Sequence, residues 1–301
     1  MGDLSQLVIK AEDLSKRYGD SAAVDGLDLE VQEGEIYGFI GPHGAGKTTT
    51  IKMILGLARP TGGSLTVLGG DPTKDGPRVR ARIGYVAEDQ AMYPYMTVAG
   101  TIDFARGFYD RWDQDLAREV AGVFGLDLRK RVGALSKGMR GQLALVLALA
   151  PRPPLLVLDE PTAGLDPLAR RDFLSTVLRT AVGPEQTVFM SSHVLAEVER
   201  IVDRVGIIAR GRLVAVRTID QLQTAQKRIR VVFQGEPPAG IFDQPGIIAV
   251  EREGHGYLLT VEDNLDEVMA KLRSAATFAL DLLDMSLEET LVHYVGGERR
   301  G

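Results

Sequence analysis

Apolar and polar positions alternate along residues 7–40, interrupted at Gly19-Asp20 and at Glu33-Gly34, and this period of two predicts β-strands. The last stretch, Ile36–Ile40, is a short buried strand that runs directly into Gly41. The period then becomes helical from Thr48 to Leu57, with Ile51, Ile54 and Leu55 on one face, and stops in the Gly56–Thr61 segment. Further strands are expected at Ser64–Leu68 and Ile83–Val86. A helical block follows from about Val98 to Ala150. Its first helix is expected to bury Ile102, Phe104, Ala105 and Phe108, its second Leu116, Val120 and Phe124, and a third starts after Leu135. Beyond it, strand and helix alternate: Leu155–Leu158, Leu168–Val182, Thr187–Met190, Val194–Val202 and Val205–Ile208. Such alternation predicts an α/β fold with a parallel sheet covered on both faces, and the helical block, about 92–150, interrupts it as an insertion.

Near Arg217 the pattern changes. Three strand-like runs (Ile229–Phe233, Ile247–Glu251, Tyr257–Val261) are followed by a helix at Leu265–Ser274, a strand at Phe278–Leu283 and a final helix at Leu287–Val295. The chain is thus expected to comprise a domain over 1–216 and a small α+β domain over 217–301, in keeping with what 301 residues allow. The charge balance, 35 basic against 41 acidic residues for a net −6, argues against broad nucleic-acid binding, which needs a basic surface. There is no cysteine, which excludes disulfides, thiolate-held metals and thiol nucleophiles. No apolar run approaches the ~18–20 residues of a membrane helix, and the N-terminus has no secretory pattern, so a soluble chain without direct bilayer insertion is expected.

The 34 glycines are about 11% of the chain, well above the usual ~7%. Part of that excess lies in Gly41-Pro42-His43-Gly44-Ala45-Gly46-Lys47-Thr48, which fits G-x-x-x-x-G-K-[ST] after a strand and before a helix. Glycines let successive backbone N–H groups converge on a phosphate, and the helix N-terminus adds partial positive charge. In that arrangement Lys47 reaches the β- and γ-phosphates and the Thr48 hydroxyl binds Mg²⁺. A glycine-rich turn alone is the plainer alternative. Against it stands Leu155-Leu156-Val157-Leu158-Asp159-Glu160, a buried strand ending in two carboxylates. Adjacent acids at a strand end are costly unless a cation or a water-directed role holds them. Asp159 suits a Mg²⁺ shell, and Glu160 suits the orientation or deprotonation of an attacking water.

These residues, and four further segments, resemble the ATP-binding subunit of ABC transporters over about residues 7–215. Leu135-Ser136-Lys137-Gly138-Met139 is similar to the family's signature motif, Ala163-Gly164-Leu165-Asp166 to its D-loop, and Ser192-His193 to its switch histidine, while Tyr18 stands where the family stacks an aromatic ring on adenine. The resemblance implies an α/β P-loop NTPase cassette with a mixed sheet core and a helical subdomain, followed by the small C-terminal α+β domain. It implies an ATPase using ATP and Mg²⁺, with Lys47, Glu160 and His193 in catalysis. Tyr18, Gly41, His43, Gly44, Ala45, Gly46, Lys47, Thr48, Thr49, Glu88, Ser136, Gly138 and Asp166 would bind nucleotide, and Thr48, Glu88 and Asp159 the metal. Within the loop, the backbone of His43 is expected to matter more than its ring. Glu88 departs from the family's usual Gln, with Gln90 as an alternative holder of that role. The signature also ends atypically, in Met139-Arg140-Gly141-Gln142, with Ser136 and Gly138 intact.

The resemblance also implies partners. The signature motif serves the ATP of a second protomer, so hydrolysis requires a head-to-tail dimer, expected here to be a homodimer. A separate integral membrane permease subunit would hold the cassette at the cytoplasmic face of the membrane. Ala91–Thr97, with Tyr93, Tyr95 and Met96, lies where the family receives that subunit; it reads equally as a satellite core under the helical block. The ending Leu287–Val295 resembles cassettes of ABC-2 type exporters. An alternative is a soluble ABC ATPase acting on ribosomes or nucleic acid, disfavoured by the single phosphate loop and the lack of heptads or a basic patch. A non-hydrolysing nucleotide-gated module is disfavoured by Glu160 and His193.

Overall fold

The structure is a computed structural model that describes residues 6–181, 186–194, 199–225, 227–262, 264–275 and 277–284. The chain separates into two compact units, Met1–Val216 and Arg217–Gly301.

In the first unit, β1 (Leu7–Tyr18) and β2 (Ser21–Gln32) form a long antiparallel pair turned at Gly19-Asp20. Strand β3 (Ile36–Ile40) leads into α1 (Lys47–Ile54), and β4 (Gly62–Val67) returns to the free side of β1. A single-turn helix α2 (Gly76–Arg80) precedes β5 (Ile83–Val86). The helical insertion consists of α3 (Val98–Arg106), α4 (Gln114–Val123) and α5 (Lys137–Leu149). Then come β6 (Leu155–Asp159), α6 (Pro167–Ala181), β7 (Thr187–Ser192), β8 (Arg204–Ala209) and β9 (Arg212–Thr218).

Two sheets share one core. The six-stranded sheet runs β5-β6-β7-β3-β8-β9, and its first five strands are mutually parallel. Strands β3, β6 and β7 are buried at every position, as expected of parallel strands covered on both faces. The second sheet, β2-β1-β4, is antiparallel and separate, so the strands read from residues 7–32 do not join the parallel sheet. Ile51, Met53 and Ile54 of α1 join the apolar cluster that contains Leu14, Leu27 and Val67 of this sheet and Phe39, Val157 and Phe189 of the larger one.

The helical insertion departs from the pattern in one instructive place. Helix α3 buries Val98, Thr101 and Ile102, the i, i+3, i+4 stripe, which leaves Phe104 off that face. Phe108 lies beyond the helix C-cap Gly107 and is 72% exposed. The expected burial of Phe104 and Phe108 is therefore incorrect: both rings stand at the surface, Phe104 edge-on to Tyr93 and to Phe108. Leu116 and Val120 of α4 are buried as their spacing requires.

The second unit opens with α7 (Ile219–Ala225). It then forms an antiparallel sheet in the order β11-β12-β10-β13 from β10 (Lys227–Phe233), β11 (Ile247–Glu253), β12 (Gly256–Val261) and β13 (Thr277–Asp284), joined by α8 (Leu265–Ser274). Ile229, Val231, Leu259 and Val261 pack with Val268 and Leu272 of α8 in a core of their own. Four residues of the helix expected over 194–202, and all of the helix expected over 287–295, lie outside the described residues.

Candidate functional site

Sheet register gathers the chemistry at one end. Ile40 of β3 is paired with Ser192 of β7, and Ser191 of β7 with Asp159 of β6. The residues that leave these strands, Gly41, Glu160 and His193, consequently emerge side by side at the carboxyl edge, where ligands of open α/β sheets bind. Gly41 N–H donates to the Ser192 carbonyl at 3.2 Å, closing the edge.

The loop from Gly41 to Gly46 needs its glycines for definite reasons. A Cβ on Gly41 would sit 2.2 Å from the Ile208 carbonyl oxygen. Gly46 has φ +112°, and a Cβ there would lie 2.5 Å from the Ala23 oxygen. Lys47 then opens α1, whose first N–H groups have no partner within the helix and form an anion-binding end. A small cavity of about 160 Å³ is lined by Ala23, His43, Gly44, Gly46, Lys47, Thr48, Thr49, Glu88 and Glu160. Ala45 is buried beneath the loop, its carbonyl accepting from Gly211 N–H.

Lys47 is buried and its ammonium is fully engaged. It donates to the carbonyls of Gly41 at 2.6 Å and Pro42 at 3.2 Å, and pairs with Glu160 Oε1 at 3.0 Å. Glu160 is equally buried and has φ +46°, a conformation non-glycine residues rarely adopt, fixed by its N–H donating to Ser191 Oγ at 2.9 Å. Its second oxygen meets His193 Nδ1 at 2.8 Å. Burial pushes the Glu160 carboxyl upward, but the hydrogen bond with His193 and the charge of Lys47 outweigh it and hold the group below its ordinary range.

Asp159 shows the opposite balance. Burial raises its carboxyl above the ordinary range, with Glu160 and Glu88 adding like charge, although Ser191 Oγ (2.7 Å) and Thr48 Oγ1 (3.4 Å) donate to it. Thr48, Asp159 and Glu88 offer oxygen donors only, two of them carboxylates, a chemistry that fits a hard cation such as Mg²⁺, which takes one or two carboxylates and completes its shell elsewhere.

That balance fixes the sign of a stability effect. Because the folded pKa of Asp159 is raised, its ionised form opposes folding at neutral pH, and the penalty disappears as pH falls and the group takes up a proton. Asp159→Asn is expected to raise the melting temperature of the ligand-free protein at pH 7.5 by about 2–4 °C, the effect of about 1 kcal/mol on a domain of this size. The gain should fade on acidification. Calorimetry from pH 7.5 to 4 checks it, and a lower melting temperature for the variant at neutral pH would contradict it.

The His43 ring lies against that of His193, with centroids 4.4 Å apart and planes inclined by 37°. Glu88 lines the phosphate-loop cavity, whereas the Gln90 amide folds back onto the carbonyls of Ala87 and Glu88. Tyr18, Ser136, Gly138 and Asp166 do not line this cavity. Ser136 caps α5 by accepting from Met139 N–H at 3.1 Å, a Cβ on Gly138 would come within 2.9 Å of Leu165, and Asp166 accepts from the first N–H groups of α6. Tyr18 is exposed, with Lys16 Nζ 4.9 Å above its ring.

A second depression, about 450 Å³, runs along α3 and is lined by apolar groups that include Leu57, Met92, Tyr93, Phe104 and Phe108. Tyr93 is 51% exposed and Tyr95 69%, with rings 5.7 Å apart. Their exposure excludes the satellite core as their role. Sequence reasoning missed Phe104 and Phe108 as members of this patch; their spacing relative to Ile102 was the available signal.

Comparison with known proteins gives a consistent picture. The family described as ABC transporter matches residues 24–163. The chain is 34% identical over 309 residues to the bacitracin transport ATP-binding protein BcrA of Bacillus licheniformis, covering 96% of this chain and 98% of that one. It is 33% identical over 302 residues to the Nod factor export ATP-binding protein I of Burkholderia pseudomallei, covering 98% and 99%. Among solved structures, an ATP-binding subunit of an ABC transporter superposes with a TM-score of 0.65 at 29% identity, covering 72% of this chain and 92% of the other.

Proposed function

The chain belongs to the ABC transporter family of ATP-binding subunits, and we propose that it hydrolyses ATP at the site formed by Gly41–Thr49, Asp159, Glu160 and His193, to drive export through a separate membrane subunit. The observation that carries this reading is the contact set at the mouth of the phosphate loop, in which the buried pair Lys47–Glu160 meets the half-buried His193.

In this reading the loop N–H groups and Lys47 hold the β- and γ-phosphates, with Tyr18 against the adenine. Thr48, Asp159 and Glu88 would hold Mg²⁺, which would neutralise phosphate charge there. Phosphate entry draws Lys47 from Glu160 and leaves that carboxylate ionised and free to accept a proton. A water held by Glu160 gives up its proton there as its oxygen attacks the γ-phosphorus, the bond to the ADP oxygen breaks, and ADP and inorganic phosphate result. His193 holds the γ-phosphate through the ring nitrogen not engaged by Glu160.

Ser136 and Gly138 stand outside the phosphate-loop cavity at the exposed N-terminus of α5. This supports a second copy of the chain, whose ATP that helix end contacts, with Asp166 linking the two sites. ATP then clamps two protomers together, and hydrolysis releases them. No helix among the described residues is long and apolar enough to cross a membrane, so the transport path belongs to a partner. The exposed groove around Tyr93 and Phe104 suits an apolar segment of that partner and would hold the protein at the cytoplasmic face of the membrane. Export is favoured over import by the full-length similarity to a protein named for Nod factor export.

Removal of the metal tests the chemistry. With purified protein and excess EDTA, phosphate release is expected to fall to background and to return on adding Mg²⁺. Hydrolysis that ignores the chelator, or no hydrolysis under either condition, would contradict the proposal.

A further inference from the structure

The phosphate-loop pattern leaves position 43 unspecified, because the backbone and not the side chain does the cradling. An imidazole there is a particular choice, and the structure gives it a particular neighbour. The His43 ring lies 4.4 Å, centroid to centroid, from the ring of His193, at an inclination of 37°. His193 is otherwise loosely held. Its side chain is about one-third exposed, and its one polar side-chain contact among the described residues is Nδ1 to Glu160 Oε2 at 2.8 Å. One hydrogen bond fixes a point on the ring and leaves the ring free to swing about it. A second contact, on the face, fixes the plane.

The plane matters because of how the two nitrogens divide their tasks. With Glu160 ionised, Nδ1 carries a hydrogen and donates to it, so Nε2 is the edge left to meet a phosphate oxygen. The other charged groups near the pair are Lys47, Glu160 and Glu88, which line the same cavity as His43, with Asp159 adjoining Glu160.

Resting on the ATPase reading above, we propose that His43 is a positioning residue for the reaction: its ring holds the plane of His193, so that one nitrogen stays on Glu160 while the other is presented to the γ-phosphate. The sequence motif does not record this role, because it belongs to the ring and not to the loop backbone.

Steady-state kinetics with Mg²⁺ and ATP on the full chain test it, using His43→Ala, His43→Phe and wild type. Because His43 is exposed, both variants should fold, and thermal unfolding confirms it. His43→Ala is expected to lower kcat about tenfold, within the range that misplacement of a reacting group produces, with KM for ATP within about twofold of wild type. His43→Phe keeps a ring face but not the nitrogens, and should recover most of the lost kcat. Wild-type kcat in His43→Ala would overturn the proposal. So would His43→Phe as slow as His43→Ala, or a loss confined to KM, which would mean that the imidazole binds nucleotide directly. Absence of phosphate release from the wild-type chain would instead overturn the ATPase reading itself.

Discussion

Replacing Glu160 with Gln should lower ATP turnover about a thousandfold, within the range that general-base catalysis contributes, while ATP binding persists. The reasoning starts from the ligand-free contacts. Glu160 is the buried anion that engages both Lys47 and His193, at 3.0 and 2.8 Å. Its carboxyl is held below its ordinary range, so at neutral pH it is ionised and available to accept a proton from water. A glutamine keeps the volume and one hydrogen-bonding oxygen but cannot accept that proton. It also ceases to compete as an anion for Lys47, so the affinity for ATP should be equal to or tighter than that of wild type. Phosphate release and equilibrium binding of a fluorescent ATP analogue separate the two effects. Retained turnover would remove Glu160 from the mechanism, and loss of binding would mean that its role is to hold nucleotide.

The double substitution Tyr93→Asp with Tyr95→Asp should detach the membrane partner without touching the nucleotide site. Both rings are more than half exposed, contact each other, and extend through Phe104 to Phe108 along one groove. A soluble surface rarely concentrates aromatics in this way unless something covers them. Two aromatic anchors of an interface contribute about 2 kcal/mol each, so their loss together should weaken association close to a thousandfold. Neither residue lines the phosphate-loop cavity, so ATP binding by the purified chain should be unchanged. Co-purification with the membrane subunit from solubilised membranes reads the first effect and nucleotide titration the second. Persistence of the complex would place the docking surface elsewhere.

The parts of this protein legible in its sequence were those governed by local rules. Strand β3 followed by the glycine loop and α1 is written in consecutive residues, as are the buried run of β6 with its terminal carboxylates and the Ser136 cap of α5. Elements without such a local signature escaped. Helix α2 is one turn opening on Gly76-Pro77, too short for an amphipathic stripe; α7 is only seven residues long, and β9 is only half-buried. The division of the strands between two sheets depends on pairing between distant residues, as in the contact of β1 with β4, and alternation alone does not determine it.

The candidate site divides along the same line. The motif residues were recognisable by type and spacing, but their mutual arrangement was not. The salt bridge from Lys47 to Glu160 spans more than a hundred residues of sequence, and the contact of His43 with His193 joins a loop to the end of another strand. The burial assigned to Phe104 and Phe108 failed because an aromatic residue in a helical stretch suggests core, whereas the nine residues of α3 turn only one narrow face to the interior and Phe108 lies beyond their end.

In the proposed cycle ATP hydrolysis belongs to two copies acting together, since Ser136 and Gly138 lie outside the cavity that contains Lys47 and Glu160. The most direct test is the specific rate of phosphate release as a function of protein concentration at saturating Mg²⁺ and ATP. The rate per protomer should be low in dilute solution, rise with concentration, and level off as dimers become complete. A rate per protomer that stays constant across the range, from a species that light scattering shows to be monomeric throughout, would contradict it.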